Sequence, residues 1–309
     1  MNSFRSRLII WMIRNRHLFK LKAQREFVDE NFDIEGFRKK TDEASNRMNK
    51  AIQEDWVKAV KIGSIYGEWV QVGNEPLDKV ILYIHGGGFI SGSCHTHRAH
   101  VLKFVKGSGI KALVFDYRLA PEHPYPAALE DCIEVYRWLL EQGYESKNIL
   151  LAGESAGATL VLTTLLKIKD QQLGLPKAAV SISPVTDLRS LADSFTRNAL
   201  KDIATLNAWH VWQAMYVGNA SYLNPFISPL FGDLKGLPPT YICIGSHEVH
   251  YDDAIAIYKK MKEAGVEVQL HDYEGMVHAF PIMAPIFPEA TKALEEICSF
   301  IRLQLSCDT

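Results

Sequence analysis

No stretch of this 309-residue chain is long and apolar enough to read as a membrane span, and none is repetitive or low in complexity. Cysteine is sparse and scattered, at Cys94, Cys132, Cys243, Cys298 and Cys307. The count is odd and no C-x-x-C pair occurs, which argues against a disulfide framework and against a thiolate zinc knuckle. Reduced thiols and a cytoplasmic location are the expectation. The formal net charge is only −2, so no overall field recruits nucleic acid. Acidic residues are missing before Glu26, where every charge is basic: Arg5, Arg7, Arg14, Arg16, Lys20, Lys22 and Arg25. Proline is absent from the first 55 residues.

What is present is the composition of a water-soluble globular enzyme, 47% apolar and 23% charged, with enough chain for an ample core. Leu8 to Ile13 is apolar but too short to span a bilayer, and no small-residue cleavage site follows it. Two readings of this basic segment stand. It is a helix docked by its apolar side onto the protein, which is the expectation, or an amphipathic helix lying on a membrane surface. Stable membrane insertion is not expected.

Residues 1–55 read as helical. From Val57 to Val72 a shorter alternation, with Gly63 and Gly67 as breakers, predicts two antiparallel strands. Strand-length apolar runs then recur at 79–85, 110–117, 148–153, 178–183, 240–245 and 267–273. Helical patterns at 127–142, 156–166, 253–264 and 288–305 separate or follow them. Apolar strands alternating with helices predict an α/β fold, a mainly parallel twisted sheet covered on both faces. Leu188 to Leu237 breaks the rhythm. It holds no clear strand but carries Phe195, Trp209, Trp212, Met215, Tyr216 and Phe226. An aromatic insertion of that length between two sheet strands reads as a lid over the strand ends, where ligands bind in open α/β sheets.

The chemistry centres on Gly153-Glu154-Ser155-Ala156-Gly157. An apolar strand leads in and a helix leads out, so Ser155 sits at a tight turn with its hydroxyl exposed above the sheet. The helix start directs free N–H groups and a positive dipole end at whatever lies beside it. Gly86-Gly87-Gly88, at the end of the 79–85 strand, supply backbone donors for a negatively charged oxygen. A serine nucleophile needs a base and an acid that orients it, each on a loop after a strand and in the order serine, acid, histidine. His278 follows the last strand and qualifies. His271 falls inside a strand and His210 inside the insertion. Glu248 follows the 240–245 strand and is taken as the acid, with Asp252 in reserve. His95, His97 and His100 cluster beside Cys94, but no carboxylate stands near them in sequence, and no metal site is expected there.

Together His85-Gly-Gly-Gly-Phe89, Asp116 to Asp131, Gly153 to Gly157, Ser183-Pro-Val-Thr-Asp187 and the loops of Glu248 and His278 resemble the hormone-sensitive-lipase-like esterases of bacteria. The resemblance runs in order from about Lys79 to Phe280. It implies an α/β-hydrolase fold over 56–187 and 238–309, with a helical cap built from residues 1–55 and 188–237. It implies an oxyanion hole from the N–H groups of Gly87, Gly88 and Ala156, and weakly a homodimer through the sheet edge. The residue before the serine is commonly Asp in that family and is Glu154 here. The expected activity is hydrolysis of short- to medium-chain carboxylic esters through an acyl-enzyme, with an apolar pocket formed by Phe89, Trp209, Trp212, Met215 and Tyr216. No metal or organic cofactor is needed for it. Lactones are the second substrate class; a peripheral membrane lipase and a non-catalytic ligand receptor are further readings.

Overall fold

The apolar runs become the strands of one sheet. The structure, a computed structural model, describes residues 3–19 and 26–306, so Lys20, Lys22, Arg25 and Cys307 lie outside the described residues. Three helices open the chain: α1 (Phe4–Arg14), α2 (Arg16–Phe19) and α3 (Ile34–Asn49). Then come β1 (Val57–Ile62), β2 (Ile65–Val70), β3 (Val80–Ile84), α4 (Cys94–Ser108), β4 (Ala112–Phe115), α5 (Ala127–Glu141), β5 (Ile149–Glu154) and α6 (Ala156–Asp170). The second half runs β6 (Ala178–Ile182), α7 (Asp193–Arg197), α8 (Ala208–Val217), β7 (Thr240–Gly245), α9 (Tyr251–Glu263), β8 (Val268–Tyr273) and α10 (Pro288–Ser306).

Strand order is β1-β2-β4-β3-β5-β6-β7-β8. The β1–β2 and β2–β4 pairs are antiparallel, and every pair from β4 to β8 is parallel. Strands β3 to β7 are buried along their whole length. That is why they read as continuous apolar runs rather than as alternation. One apolar layer packs the sheet against α5, α6 and α9. The other packs it against α4 and α10.

Two expectations need correction. Residues 1–55 are not continuously helical: the 26–33 stretch is irregular, and Phe27 forms an isolated parallel bridge with Leu206 of the insertion. Gly67 does not break the chain but lies inside β2 opposite Phe115, where a Cβ would meet the Val114 carbonyl oxygen at 3.2 Å. Helix α1 docks through an apolar side, as expected: Ile10 is buried with Ser6, and Ile9 packs partly buried against the same core. Phe4, Leu8, Trp11 and Met12 form a second apolar face that meets solvent. At its N-terminus Glu289 of α10 accepts from the Ser3 amide and the Ser6 hydroxyl and anchors the side that turns inward. Among the described residues no helix is long and apolar enough to cross a membrane.

The insertion between β6 and β7 folds into α7, α8 and turns. Its contacts fall on the loops after β3, β7 and β8, which puts it over the carboxyl ends of the strands.

Candidate active site

β5 delivers Ser155 at the sheet's centre. Its backbone has φ 57° and ψ −124°, a sparsely populated region for a non-glycine residue that costs about 1–3 kcal/mol and is retained only where its surroundings impose it. Here they do. Gly153 and Gly157 flank the turn so tightly that a Cβ on Gly153 would lie 2.6 Å from the Ile84 carbonyl oxygen, and one on Gly157 would be driven into the same atom. The turn ends in α6, whose first residue is Ala156.

The structure brings together the three side chains singled out from the sequence. His278 Nε2 lies 2.8 Å from Ser155 Oγ, and His278 Nδ1 lies 3.0 Å from Glu248 Oε2. Glu248 is fully buried and also accepts from the Gly245 amide (2.6 Å) and the Ser183 hydroxyl (2.8 Å). Because the carboxylate takes a proton on Nδ1, the facing Nε2 is free to accept the serine proton. Burial works against a charged His278 ring. The hydrogen bond and charge of Glu248 outweigh it, with help from Asp202 and Glu154, and hold the imidazole above its ordinary pKa. Asp252, the reserve acid, is turned elsewhere: it accepts from the Ser194 amide (2.9 Å) and pairs with Arg197 (2.8 Å).

The glycine loop after β3 lies against the serine, with Gly86 so close that a Cβ there would come within 3.2 Å of Ser155 Cβ. Gly87, Gly88 and Phe89 all have positive φ. Glu154 holds this loop. Its buried carboxylate accepts from the Gly86 amide (2.6 Å) and the Tyr83 hydroxyl (2.5 Å), and pairs with His97 Nε2 (3.0 Å). Burial would raise the Glu154 pKa, but His97, Tyr83 and the Gly86 amide more than offset it and lower it. His85 stacks between Tyr117 (4.2 Å) and His97 (5.0 Å) and gives its Nδ1–H to the Gly86 carbonyl (2.8 Å). Burial holds His85 neutral, with a pKa near 3.

His95, His97 and His100 do not converge. They face Asn46, Glu154 and the Ile282 carbonyl respectively. Among the described residues no group of three His, Cys, Asp or Glu side chains is arranged to hold a metal ion.

The aromatic residues assigned to the pocket divide. Trp209 stands edge-on to His278 at 4.8 Å, and Trp212 covers Gly88. Phe89 and Tyr216 stack on each other at 3.9 Å, fully buried behind the glycine loop, and Met215 is half-buried beside them. An apolar cavity of about 700 Å³ has His278 in its wall. Met48, Ile52, Leu102, Ile203, Ile282 and Met283 help to line it. No sequence pattern announces this cavity, because its walls come from four separated segments.

Asp202 was also missed. It sits in the insertion, buried, and its carboxylate accepts from the backbone amides of His278 (3.0 Å), Val249 (2.9 Å) and Ile203 (2.7 Å). It therefore ties the acid loop to the histidine loop. A carboxylate whose partners are backbone amides leaves no trace in residue spacing.

An α/β-hydrolase-fold family model matches residues 81–282. An esterase of Acinetobacter venetianus is 36% identical over 251 residues, covering 79% of this chain and 81% of that one. An acetyl-hydrolase of Streptomyces hygroscopicus is 37% identical over 247 residues, with the same coverage of 79% and 81%. The crystal structure of an esterase from the bacterial hormone-sensitive lipase family superposes with a TM-score of 0.87 at 33% identity, covering 99% of each chain.

Proposed function

This chain belongs to the bacterial hormone-sensitive-lipase family of α/β-hydrolase esterases, and from that premise we propose that it cleaves short- to medium-chain carboxylic esters through an acyl-enzyme on Ser155. The reading rests on one observation, the 2.8 Å approach of His278 Nε2 to Ser155 Oγ with Glu248 behind the ring. His278 takes the serine proton as Oγ attacks the ester carbonyl carbon. The carbonyl π bond opens to an oxyanion held by the N–H groups of Gly87, Gly88 and Ala156. Such a donor commonly lowers the barrier by about 2.7–4 kcal/mol. The oxyanion collapses, the C–O bond to the alkoxide breaks, and His278 returns its proton to that leaving oxygen. Water, deprotonated by the same imidazole, then attacks the acyl carbon and frees Ser155. Glu248 keeps the proton on Nδ1 and steadies the imidazolium throughout.

The acyl preference is supported by the acetyl-hydrolase name of one relative. In this reading residues 1–55 and 188–237 are the two pieces of the cap over a body formed by 56–187 and 238–309. Trp209 and Trp212 shape the mouth, while Phe89, Met215 and Tyr216 back the glycine loop. The outer edge of β8 offers a surface for a homodimer, and four buried, unpaired cysteines suit a cytoplasmic setting. A fluorophosphonate label mapped by mass spectrometry tests the nucleophile, and a panel of p-nitrophenyl esters, lactones and amides tests the substrate. Label on Ser155 and turnover greatest with short acyl chains are expected. Label elsewhere, turnover greatest with long chains, or lactones cleaved in preference to esters would overturn the corresponding part.

A further inference from the structure

Helix α1 buries Ile10 and packs Ile9 against the core, and it turns a second apolar side away from the protein. Phe4, Leu8, Trp11 and Met12 are 74, 47, 49 and 38% exposed. Their spacing of four, seven and eight residues gathers them on one ridge, opposite the buried Ser6 and Ile10. Leu18 and Phe19, 50 and 65% exposed, add further apolar surface, and Phe19 meets Trp11 edge-on at 6.5 Å. At 100° per residue Arg5 falls on one flank of the ridge and Arg7 and Arg14 on the other. Arg5 and Arg7 are exposed, and the sequence carries no acidic residue before Glu26 to offset them.

An apolar helix face ordinarily covers its own protein's core; this one is presented to water. Its flanks carry one sign of charge. That combination is complementary to a surface with anionic groups above and hydrocarbon below. A second copy of the chain fits less well, because a two-fold pairing of the ridges would set arginines against arginines. The helix also belongs to the flank that carries the apolar cavity. Ile10 packs in the same apolar cluster as Ala284, and Arg16 donates to the Ile203 carbonyl at 2.9 Å; Ala284 and Ile203 both line that cavity.

We infer that the exposed face of α1 is a docking surface for an anionic lipid bilayer, holding the protein peripherally on that surface. The docking does not rest on the catalytic reading. What it adds to that reading is a supply of esters dissolved in the interface, on the side of the molecule where the cavity lies.

The test uses the full chain carrying Ser155→Ala, so that lipid hydrolysis plays no part. Sedimentation with vesicles of phosphatidylcholine plus phosphatidylserine is expected, with little binding to phosphatidylcholine alone and release by high salt. Lipids brominated near the head group should quench tryptophan emission, and Trp11→Phe should remove that quenching. Leu8→Ser with Trp11→Ser, and separately Arg5→Glu with Arg7→Glu, should each lower the vesicle-bound fraction at least about tenfold. The same α1 substitutions in an otherwise unchanged chain should leave hydrolysis of a dissolved ester at the wild-type rate, which shows that the protein still folds. Absence of binding to anionic vesicles, equal binding to neutral ones, or indifference to both double variants would overturn the inference. So would a concentration-dependent dimer lost in the ridge variants with no vesicle binding, since the occupant would then be a second copy. If vesicle binding is found but no ester is cleaved, the catalytic reading alone falls.

Discussion

Asp202 accepts the backbone amide of His278 at 3.0 Å while its other oxygen accepts that of Val249 at 2.9 Å. One carboxylate from the insertion thus sets the spacing between the loop that carries the imidazole and the loop that carries Glu248. Asp202→Ala leaves buried amides without an acceptor, at about 1–3 kcal/mol each. Chemical denaturation should therefore show a fall of several kcal/mol. Asp202→Asn keeps an acceptor but loses the charge that favours protonated His278. Its acid limb of kcat/KM should move to lower pH than the wild-type limb.

Glu248 raises the imidazole pKa, so the wild-type enzyme should gain activity through a pKa above the ordinary His value of about 6.5. Glu248→Gln should move that limb downward and lower kcat by roughly three to four orders of magnitude, the scale of an acid-to-amide change behind a catalytic histidine. Asp252→Asn alters only an exposed pair with Arg197 and a bond to Ser194, and should leave kcat near wild type. Steady-state kinetics across pH on the two variants separates the carboxylates; the reverse outcome would transfer the role to Asp252.

Glu154 reaches the Gly86 amide with the same oxygen that meets His97. Glu154→Gln keeps the length but puts an NH₂ group among three donors, so the glycine loop should relax away from Ser155. The expected signature is a kcat loss on the order of 10²-fold with little change in KM, as for a displaced oxyanion donor. A variant that instead raised KM alone would show that the loop positions the substrate and not the transition state.

Asp253 is buried, and that burial lifts its pKa to about 7 against the Thr186 and Asp187 amides that favour its anion. A carboxyl with a folded pKa above its unfolded value of about 3.9 binds its proton more tightly when folded. Its contribution to stability is therefore complete below about pH 4 and is lost as pH rises through about 7. Asp253→Asn removes the titration while keeping an acceptor oxygen. Urea midpoints measured from pH 5 to 8 (chosen to bracket that pKa) should decline for wild type and flatten for the variant. Each tenfold difference in proton affinity between the folded and unfolded chain is worth about 1.4 kcal/mol in that decline.

The strands of the parallel sheet are legible because double burial turns them into apolar runs with glycine at their ends, as at Lys79–Gly88 and Asn148–Gly153. The neighbourhood of Ser155, Glu248 and His278 is legible as an order along the chain, since each residue follows the carboxyl end of a strand and those ends share one edge of the sheet. The first 55 residues are less so. Phe27 to Phe32 have an apolar content that suits a helix, and only a partner almost 180 residues away, Leu206, draws Phe27 into a bridge. Glu154 reads as a departure from a pattern, yet its work depends on Tyr83, Gly86 and His97, which meet only in the folded chain. Helix α1 is apolar on two sides, and the side that faces inward, with Ser6 and Ile10, is the one anchored by Glu289, near the far end of the chain.

The bridge between Phe27 and Leu206 does not act alone. Val28 donates to the Leu206 carbonyl at 3.0 Å, Asn207 returns a bond to the Val28 carbonyl at 2.9 Å, and Arg16 grips Thr205 at 3.0 Å. The two segments, remote in sequence, are thereby stitched to each other along one seam. Only a few residues before that seam, Asp202 clasps the histidine loop. In the proposed mechanism that clasp ties the covering segments to the proton acceptor, so whatever loosens the seam would also disturb the placement of His278.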